Sequence, residues 1–279
     1  MSPLLPRLPK RMPNAAAAAA NAPHPDAWIS LGAPPEELRL DTTLRGGQSF
    51  RWRPTGDQEC EATDVLFCHR TTQSTARDRD QIRARLRDYF QLDVSLAELY
   101  RHWSLADPHF ARLAGAVGLR GIRVLKQDPT ETLFAFICSS NNNVGRIEKM
   151  VNTLCEKYGP FVGSYSNVAY HQFPGVSSLI GPDVERELRE AGFGYRAKYI
   201  AETARKLHAR HGEGPGGPEA WLAGLRQASY AEARAAVMEF SGVGPKVADC
   251  VCLMALDKTG AVPVVSEEVP SRRLLVCDP

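Results

Sequence analysis

Apolar and polar positions divide the chain unevenly. From Trp28 to about Thr72, short mixed segments at Leu38–Leu40, Ser49–Trp52 and Val65–His69 are separated by Gly, Pro and Asp, a pattern that predicts a small antiparallel sheet. Beyond Asp78 the spacing becomes helical. Gln81–Phe90 and Ser95–His102 carry apolar residues three and four apart, and the period runs on, punctuated by Gly and Pro, to Met254. Within that stretch Thr130–Ser140 is apolar, Arg146–Tyr158 is amphipathic, and Pro182–Ala191 and Tyr199–His211 are charged helices. After a flexible Gly212–Pro218 connector, Pro218–Gln227, Tyr230–Phe240 and Pro245–Asp257 read as further helices, the last two joined by a very short turn. The predicted class is α+β, mostly α, with a small N-terminal antiparallel sheet followed by a helical domain.

Composition narrows this picture. A chain of 279 residues that is 43% hydrophobic and 24% charged can bury a sizeable core, which excludes a wholly disordered protein. The net charge of only +2 means that any surface for a polyanion must be local. Two tracts qualify: residues 186–211 carry a net +4 by side-chain count, and Arg70–Arg87 is rich in arginine. Taken alone, either tract reads equally well as a solvated helix face. The seven cysteines include no CxxC pair, which signals a reducing compartment and neither a zinc site nor an iron–sulfur cluster; no metal or cofactor is expected. No apolar run reaches the roughly 18–20 residues of a membrane span. The leader, residues 1–26, holds Arg7, Lys10, Arg11 and a run of alanines with no acid before Asp26; it reads either as a mitochondrial transit peptide or as a disordered tail.

The sharpest chemical feature is Phe240-Ser241-Gly242-Val243-Gly244-Pro245-Lys246 between two helical patterns. Two glycines one residue apart permit a tight turn and close backbone approach, and Pro245 suits the first turn of a helix. The free N–H groups of such a hairpin and of the following helix start form a ready site for a DNA phosphate, which makes Gly242, Val243 and Gly244 candidate DNA contacts; a plain helical turn is the alternative. Lys246 lies where the positive end of the helix dipole disfavours an ammonium. A neutral amine there can attack an electrophilic sugar carbon and form a Schiff base. Cys250 and Met254 follow Lys246 at i+4 and i+8, so one face carries an amine, a thiol and a thioether, although core packing explains the last two equally well.

The run from Phe240 to Lys258 resembles the helix-hairpin-helix and catalytic-lysine segment of eukaryotic 8-oxoguanine DNA glycosylase/AP lyases. Gly47-Gln48-Ser49-Phe50-Arg51-Trp52, Tyr89-Phe90-Gln91-Leu92-Asp93, Gln127-Asp128-Pro129, Phe134 to Arg146 with its Ser139-Ser140-Asn141-Asn142-Asn143 run, and Gly194-Tyr195-Arg196-Ala197 agree with it in order, from about Leu38 to Val264. The resemblance implies a base-flipping enzyme that excises oxidised guanine opposite cytosine from double-stranded DNA and then nicks the abasic strand. It implies Lys246 as the Schiff-base nucleophile and Gly47, Cys250 and Met254 as the base pocket, with the Gly47 carbonyl accepting from the N7–H that oxidation creates. It implies Asn141 as the amide that fills the vacated space, Arg146 and Arg196 as donors to the unpaired cytosine, and Tyr195 as a wedge. It further implies a monomer that works in the nucleus, with mitochondrial use if the leader is a targeting segment.

The pattern breaks after Val264. Val265 stands where the family has an Asp, and the helices that the resemblance implies beyond it are not readable in residues 265–279. Two outcomes are expected from this: the apolar face of the Pro245–Leu256 helix should lie exposed, and the chain should either cut DNA through Lys246 or bind damaged DNA without cutting it, because a carboxylate that offsets the cationic sugar is missing. The predicted organisation is a leader at 1–26, an N-terminal antiparallel sheet with helices at 27–118, a helix-hairpin-helix glycosylase domain at 119–264, lacking its last helices, and a divergent tail at 265–279.

Overall fold

The computed structural model describes residues 28–52, 65–67, 76–114, 120–165, 168–212 and 215–263. The predicted leader and the tail with Val265 lie outside the described residues. The elements run β1 (Trp28–Ser30), α1 (Leu40–Thr43), β2 (Val65–Phe67), α2 (Ala76–Tyr89), α3 (Leu96–Ala106), α4 (Pro108–Ala114), α5 (Pro129–Ile137), α6 (Val144–Tyr158), β3 (Phe161–Tyr165), β4 (Val168–His171), a 3-10 turn (Val176–Leu179), α7 (Val184–Glu190), α8 (Arg196–His211), α9 (Gly217–Gly224), a 3-10 turn (Leu225–Gln227), α10 (Tyr230–Met238) and α11 (Pro245–Ala255). Among the described residues no helix is long and apolar enough to cross a membrane.

Helix α5 is the centre of the main core. Asp128 caps its start, the side chain accepting from the Glu131 N–H at 2.8 Å, and Pro129 occupies the first turn, where no backbone donor is needed. Leu133 through Cys138 are then buried almost without remainder against residues of α6, α8 and α11, among them Val151, Leu154, Ala197, Ile200, Cys250 and Val251. A second, smaller core gathers Leu31, Phe90 and Leu125 with Trp52, Tyr89 and Leu86 around it. The Gly47–Trp52 segment joins the two cores. Phe50 packs edge-on against Phe136 of α5 with ring centroids 5.7 Å apart, Arg51 pairs with Glu131 at 2.9 Å, and the Trp52 indole N–H donates to the Tyr89 hydroxyl at 3.0 Å.

Three sequence expectations need correction. The N-terminal sheet is antiparallel, but it pairs Trp28↔Phe67, Ile29↔Leu66 and Ser30↔Val65; Leu38–Leu40 turns into α1 and Ser49–Trp52 is irregular. The alternation of Ser49–Trp52 is satisfied by the two cores rather than by a strand partner. A second ribbon, β3 paired with β4, interrupts what reads as a continuous helical stretch. The face of α11 expected to be exposed is buried: Val247, Ala248, Cys250, Val251, Cys252, Ala255 and Leu256 all lie in the core, because α5 packs on one side of this helix and α10 on another.

The N-terminal part is pinned by an ion pair between a buried arginine and a half-buried glutamate. The Arg123 guanidinium, 3% exposed, bridges the Glu37 carboxylate, its backbone carbonyl and the Gln91 carbonyl, while Glu37 also accepts from the Leu96 and Ala97 N–H groups at 2.8 and 3.0 Å. Burial pushes the Glu37 carboxyl up, but those amides and the Arg123 charge outweigh it and hold it below its usual value of 4.5. Its stabilisation is therefore present above that value and lost as pH falls through the lowered one. Replacing Arg123 by Met should cost about 2 kcal/mol in denaturant unfolding, because the half-buried Glu37 carboxylate and the Glu37 and Gln91 carbonyls lose a charged donor. The exposed Arg83–Asp80 pair should show no measurable loss on Arg83→Met, and equal effects at the two sites would contradict this assignment.

Candidate active site and nucleic-acid interface

The helix that begins at Pro245 has no side-chain cap. Gly244 precedes it in an extended conformation, and the N–H groups of Gly242 and Gly244 make no hydrogen bond among the described residues. Together with the unsatisfied first turn of α11 they leave backbone donors open to an anion. Lys246 lies in that first turn, half-buried. Its Nζ sits 5.3 Å from the centroid of the Phe136 ring, and Cys250 follows one turn later on the same helix. Lys246 has no carboxylate within 4.0 Å among the described residues, a property it shares with Lys149, Lys157 and Lys258, and what distinguishes it is its place beside the Phe136 ring in the uncapped first turn of α11. An aromatic face attracts the ammonium without quenching it as a carboxylate would. Burial pushes the Cys250 thiol up, with the Lys246 charge pulling the other way, so the thiol is the neutral partner. Among the described residues no cluster of His, Cys, Asp or Glu could hold a metal ion.

Helix α8 fixes the hairpin from outside. At Gly242, φ is +81°, and a Cβ there would lie 2.7 Å from the Tyr199 ring, so both the backbone conformation and the aromatic neighbour require glycine. Thr203 donates to the Ser241 carbonyl at 3.1 Å, and the Ser241 hydroxyl donates to Glu202 at 2.8 Å. Val243 differs from expectation: its N–H is already donated to the Phe240 carbonyl at 3.2 Å and its side chain is buried, so it is scaffold rather than an open contact. A clamp between the two hairpin helices completes the support, with the Asp249 carboxylate accepting from Arg234 at 2.7 Å and from the Tyr230 hydroxyl at 2.8 Å.

The C-terminus of α5 runs into the Ser139–Asn143 loop, where three identical residues do different work. Asn143 caps α6, accepting from the Arg146 N–H at 3.0 Å. Asn142 braces the loop by donating to the Cys138 carbonyl at 2.9 Å. Asn141 is exposed, has a left-handed backbone with φ +47°, and its side chain makes no hydrogen bond among the described residues. Its neighbours across the gap are the other predicted readers. The Tyr195 hydroxyl donates to the Ser140 carbonyl at 3.0 Å, Arg196 donates to the Ser140 and Asn141 carbonyls, and Arg146 donates to the Gly192 carbonyl at 3.1 Å. Arg196 departs from expectation, being 3% exposed rather than displayed to solvent.

Gly47 (φ +78°) lies beside Val144 at the head of α6, which places it against the Asn loop. Its neighbour Gln48 is held on both sides of the amide: it donates to the Arg123 carbonyl at 2.7 Å and accepts from the Leu125 N–H at 3.0 Å. Gln127 ties this segment to the lysine helix, its side chain donating to the Gln48 carbonyl at 2.8 Å and its N–H to the Met254 carbonyl at 2.9 Å. The Met254 side chain packs at the edge of the main core. Sequence reasoning missed Phe136, Tyr199 and Gln127 as supports. The i+4 spacing of Tyr195 and Tyr199, whose rings stand 5.6 Å apart, is a readable signal for one of them.

Residues 30–133 match the N-terminal domain of 8-oxoguanine DNA glycosylase, and residues 134–267 match the HhH-GPD superfamily of base excision DNA repair proteins. The chain is 41% identical over 250 residues to an N-glycosylase/DNA lyase of Saccharomyces cerevisiae and 40% identical over 253 residues to the N-glycosylase/DNA lyase OGG1 of Arabidopsis thaliana. These alignments take in 82% and 85% of this chain but 65% and 66% of the relatives, so the chain spans just under two thirds of their length. Among solved structures it is similar to the 8-oxoguanine glycosylase/lyase of Clostridium acetobutylicum in complex with dsDNA containing cytosine opposite 8-oxoG, with a TM-score of 0.65, 27% identity, and 85% of this chain and 82% of that one covered. MBOgg1 in complex with a low-affinity DNA ligand gives a TM-score of 0.67 at 30% identity, with 85% of this chain and 78% of that one covered. With a lysine-bearing helix behind an uncapped hairpin, both matched domains and these relatives, the chain belongs to the eukaryotic 8-oxoguanine DNA glycosylase/lyase family.

Proposed function

We propose that this chain is a base-excision-repair enzyme that removes 8-oxoguanine opposite cytosine from duplex DNA and then cleaves the abasic strand. The observation that carries the reading is Lys246: a half-buried amine without a carboxylate partner among the described residues, set beside Phe136 and Cys250 at the uncapped start of α11. A phosphate on the hairpin amides would bring the sugar of a flipped nucleotide to this amine. The neutral amine attacks C1′, the N–C bond forms as the glycosidic bond breaks with its electron pair leaving on the base, and the amine proton is lost. The aminal so formed opens, the C1′–O4′ bond breaking with its electron pair and a proton going to O4′, and the resulting iminium acidifies the C2′ hydrogen, whose removal expels the 3′ phosphate by β-elimination. Asn141 enters the vacated space, Tyr195 wedges the stack, and Arg146 and Arg196 offer donors to the unpaired cytosine. The Gly47 carbonyl, with Cys250 and Met254 nearby, reads the oxidised base. The same reading makes the protein a monomer of the nucleus, and of the mitochondrion if the acid-free leader is a targeting segment.

Val265 favours a second reading, in which the chain binds damaged DNA but cuts it poorly, since valine supplies no charge to offset the cationic sugar.

Two measurements test these readings. Incubation with an 8-oxoguanine:cytosine duplex followed by borohydride should trap a covalent protein–DNA adduct, and Lys246→Gln should abolish it while retaining salt-sensitive binding to the duplex; an undiminished adduct in that variant would contradict the role of the lysine. If the second reading applies, the parent traps slowly and Val265→Asp raises the single-turnover rate by on the order of 10²-fold. An unchanged rate would sink it.

A further inference from the structure

Four of the five N–H groups of the Arg196 guanidinium are engaged by backbone carbonyls. Its Nε–H donates to the Ser140 carbonyl at 3.1 Å, the two Nη2 hydrogens go to the Ser140 and Asn141 carbonyls, the latter at 2.9 Å, and Nη1 makes a long 3.5 Å bond to the Phe193 carbonyl. At most one further N–H is left. The carbonyls it holds belong to the residue before Asn141 and to Asn141 itself, whose backbone is left-handed with φ +47°. Arg196 is also 3% exposed, so it cannot reach a nucleobase edge without letting these carbonyls go.

We infer that Arg196 is a positioning residue for Asn141 as well as a reader of the opposite base, and that the two roles exclude each other: the opposite base releases the loop by supplying the acceptors that replace the Ser140 and Asn141 carbonyls. This rests on the proposed function and adds a source of specificity to it. On its pairing edge cytosine presents two adjacent acceptors, N3 and O2. Thymine and guanine interpose an N–H between acceptors or beside one, and adenine offers a single acceptor next to a donor. Cytosine alone matches the pair of carbonyls that the guanidinium gives up, so void filling by Asn141 is coupled to the identity of the base opposite.

The test is a double-mutant cycle in the full chain, measuring Kd for duplexes with an abasic-site analogue opposite cytosine or opposite thymine. With cytosine, Arg196→Ala and Asn141→Ala should be non-additive by about tenfold, within the range seen for residues that share one network. With thymine they should be additive. Arg196→Lys keeps the charge but cannot span two carbonyls, and should behave as Arg196→Ala, which guards against loss of folding in the smaller variant. A purely structural role would give equal coupling in both duplexes and overturn the inference, as would additivity in both. Hydrogen exchange on the DNA-free protein separates this from failure of the proposed function. Arg196→Lys should accelerate exchange at the amides of residues 140–142 whether or not the chain acts on DNA, and unchanged exchange overturns the positioning role. A parent chain that binds both duplexes equally overturns the gate and the opposite-base reading together.

Discussion

Burial of α5 against α11 is the constraint from which the site follows. The Phe134–Cys138 stretch cannot be solvated without dissolving the main core, so the ring of Phe136 is fixed in place, and α11 brings Lys246 to it. One helix thereby determines two things. Its last turn supplies the aromatic surface beside the amine, and the chain beyond it forms the Ser139–Asn143 loop that Tyr195 and Arg196 at the start of α8 hold. Lysine and Asn loop keep their separation because both are referred to α5, the lysine through the packing of α11 against it and the loop as its continuation. A candidate nucleophile positioned by packed helices in this way depends on the stability of the core rather than on the order of a loop.

The supports around α11 leave one end free. Asp249, paired with Arg234 and Tyr230, fastens its middle to α10, and Arg226 donates to the Ala255 carbonyl at 2.9 Å, closing its C-terminus. Its first turn has no side-chain cap, as is also true of α1, α7, α8 and α9, whereas α3, α5, α6 and α10 begin with a Ser, Asp or Asn side chain accepting a backbone N–H. What sets α11 apart is the glycine turn before it, where the Gly242 and Gly244 N–H groups add two further open donors. A helix start left without a cap costs stability, and here it coincides with the glycine turn that Tyr199 requires.

Much of the architecture is legible in the sequence where local chemistry decides. Asp128-Pro129 announces the start of α5, Gly242 and Gly244 announce the hairpin, and the period of Arg146–Tyr158 gives most of α6. The partner of a strand is not a local property, and this is why Ser49–Trp52 reads as a strand although its alternation serves two cores. The hidden ribbon β3–β4 follows Gly159-Pro160, which end α6 but carry no sign of what comes next. At the site, Lys246 and the hairpin are readable from spacing. The division of labour among Asn141, Asn142 and Asn143 is not, because three identical residues acquire different roles only through what Arg196, Cys138 and the α6 amides offer them. Val243 likewise shares its glycine neighbours' place in the motif, yet its amide and side chain are turned inward.

The central claim is that the chemistry passes through the Lys246 amine. Peptide mapping of the borohydride-reduced complex by mass spectrometry tests it most directly. The account predicts the sugar remnant on the peptide containing Pro245-Lys246-Val247, attached to the lysine Nζ; a remnant on Lys198, Lys206 or the N-terminal amine in its place would contradict it.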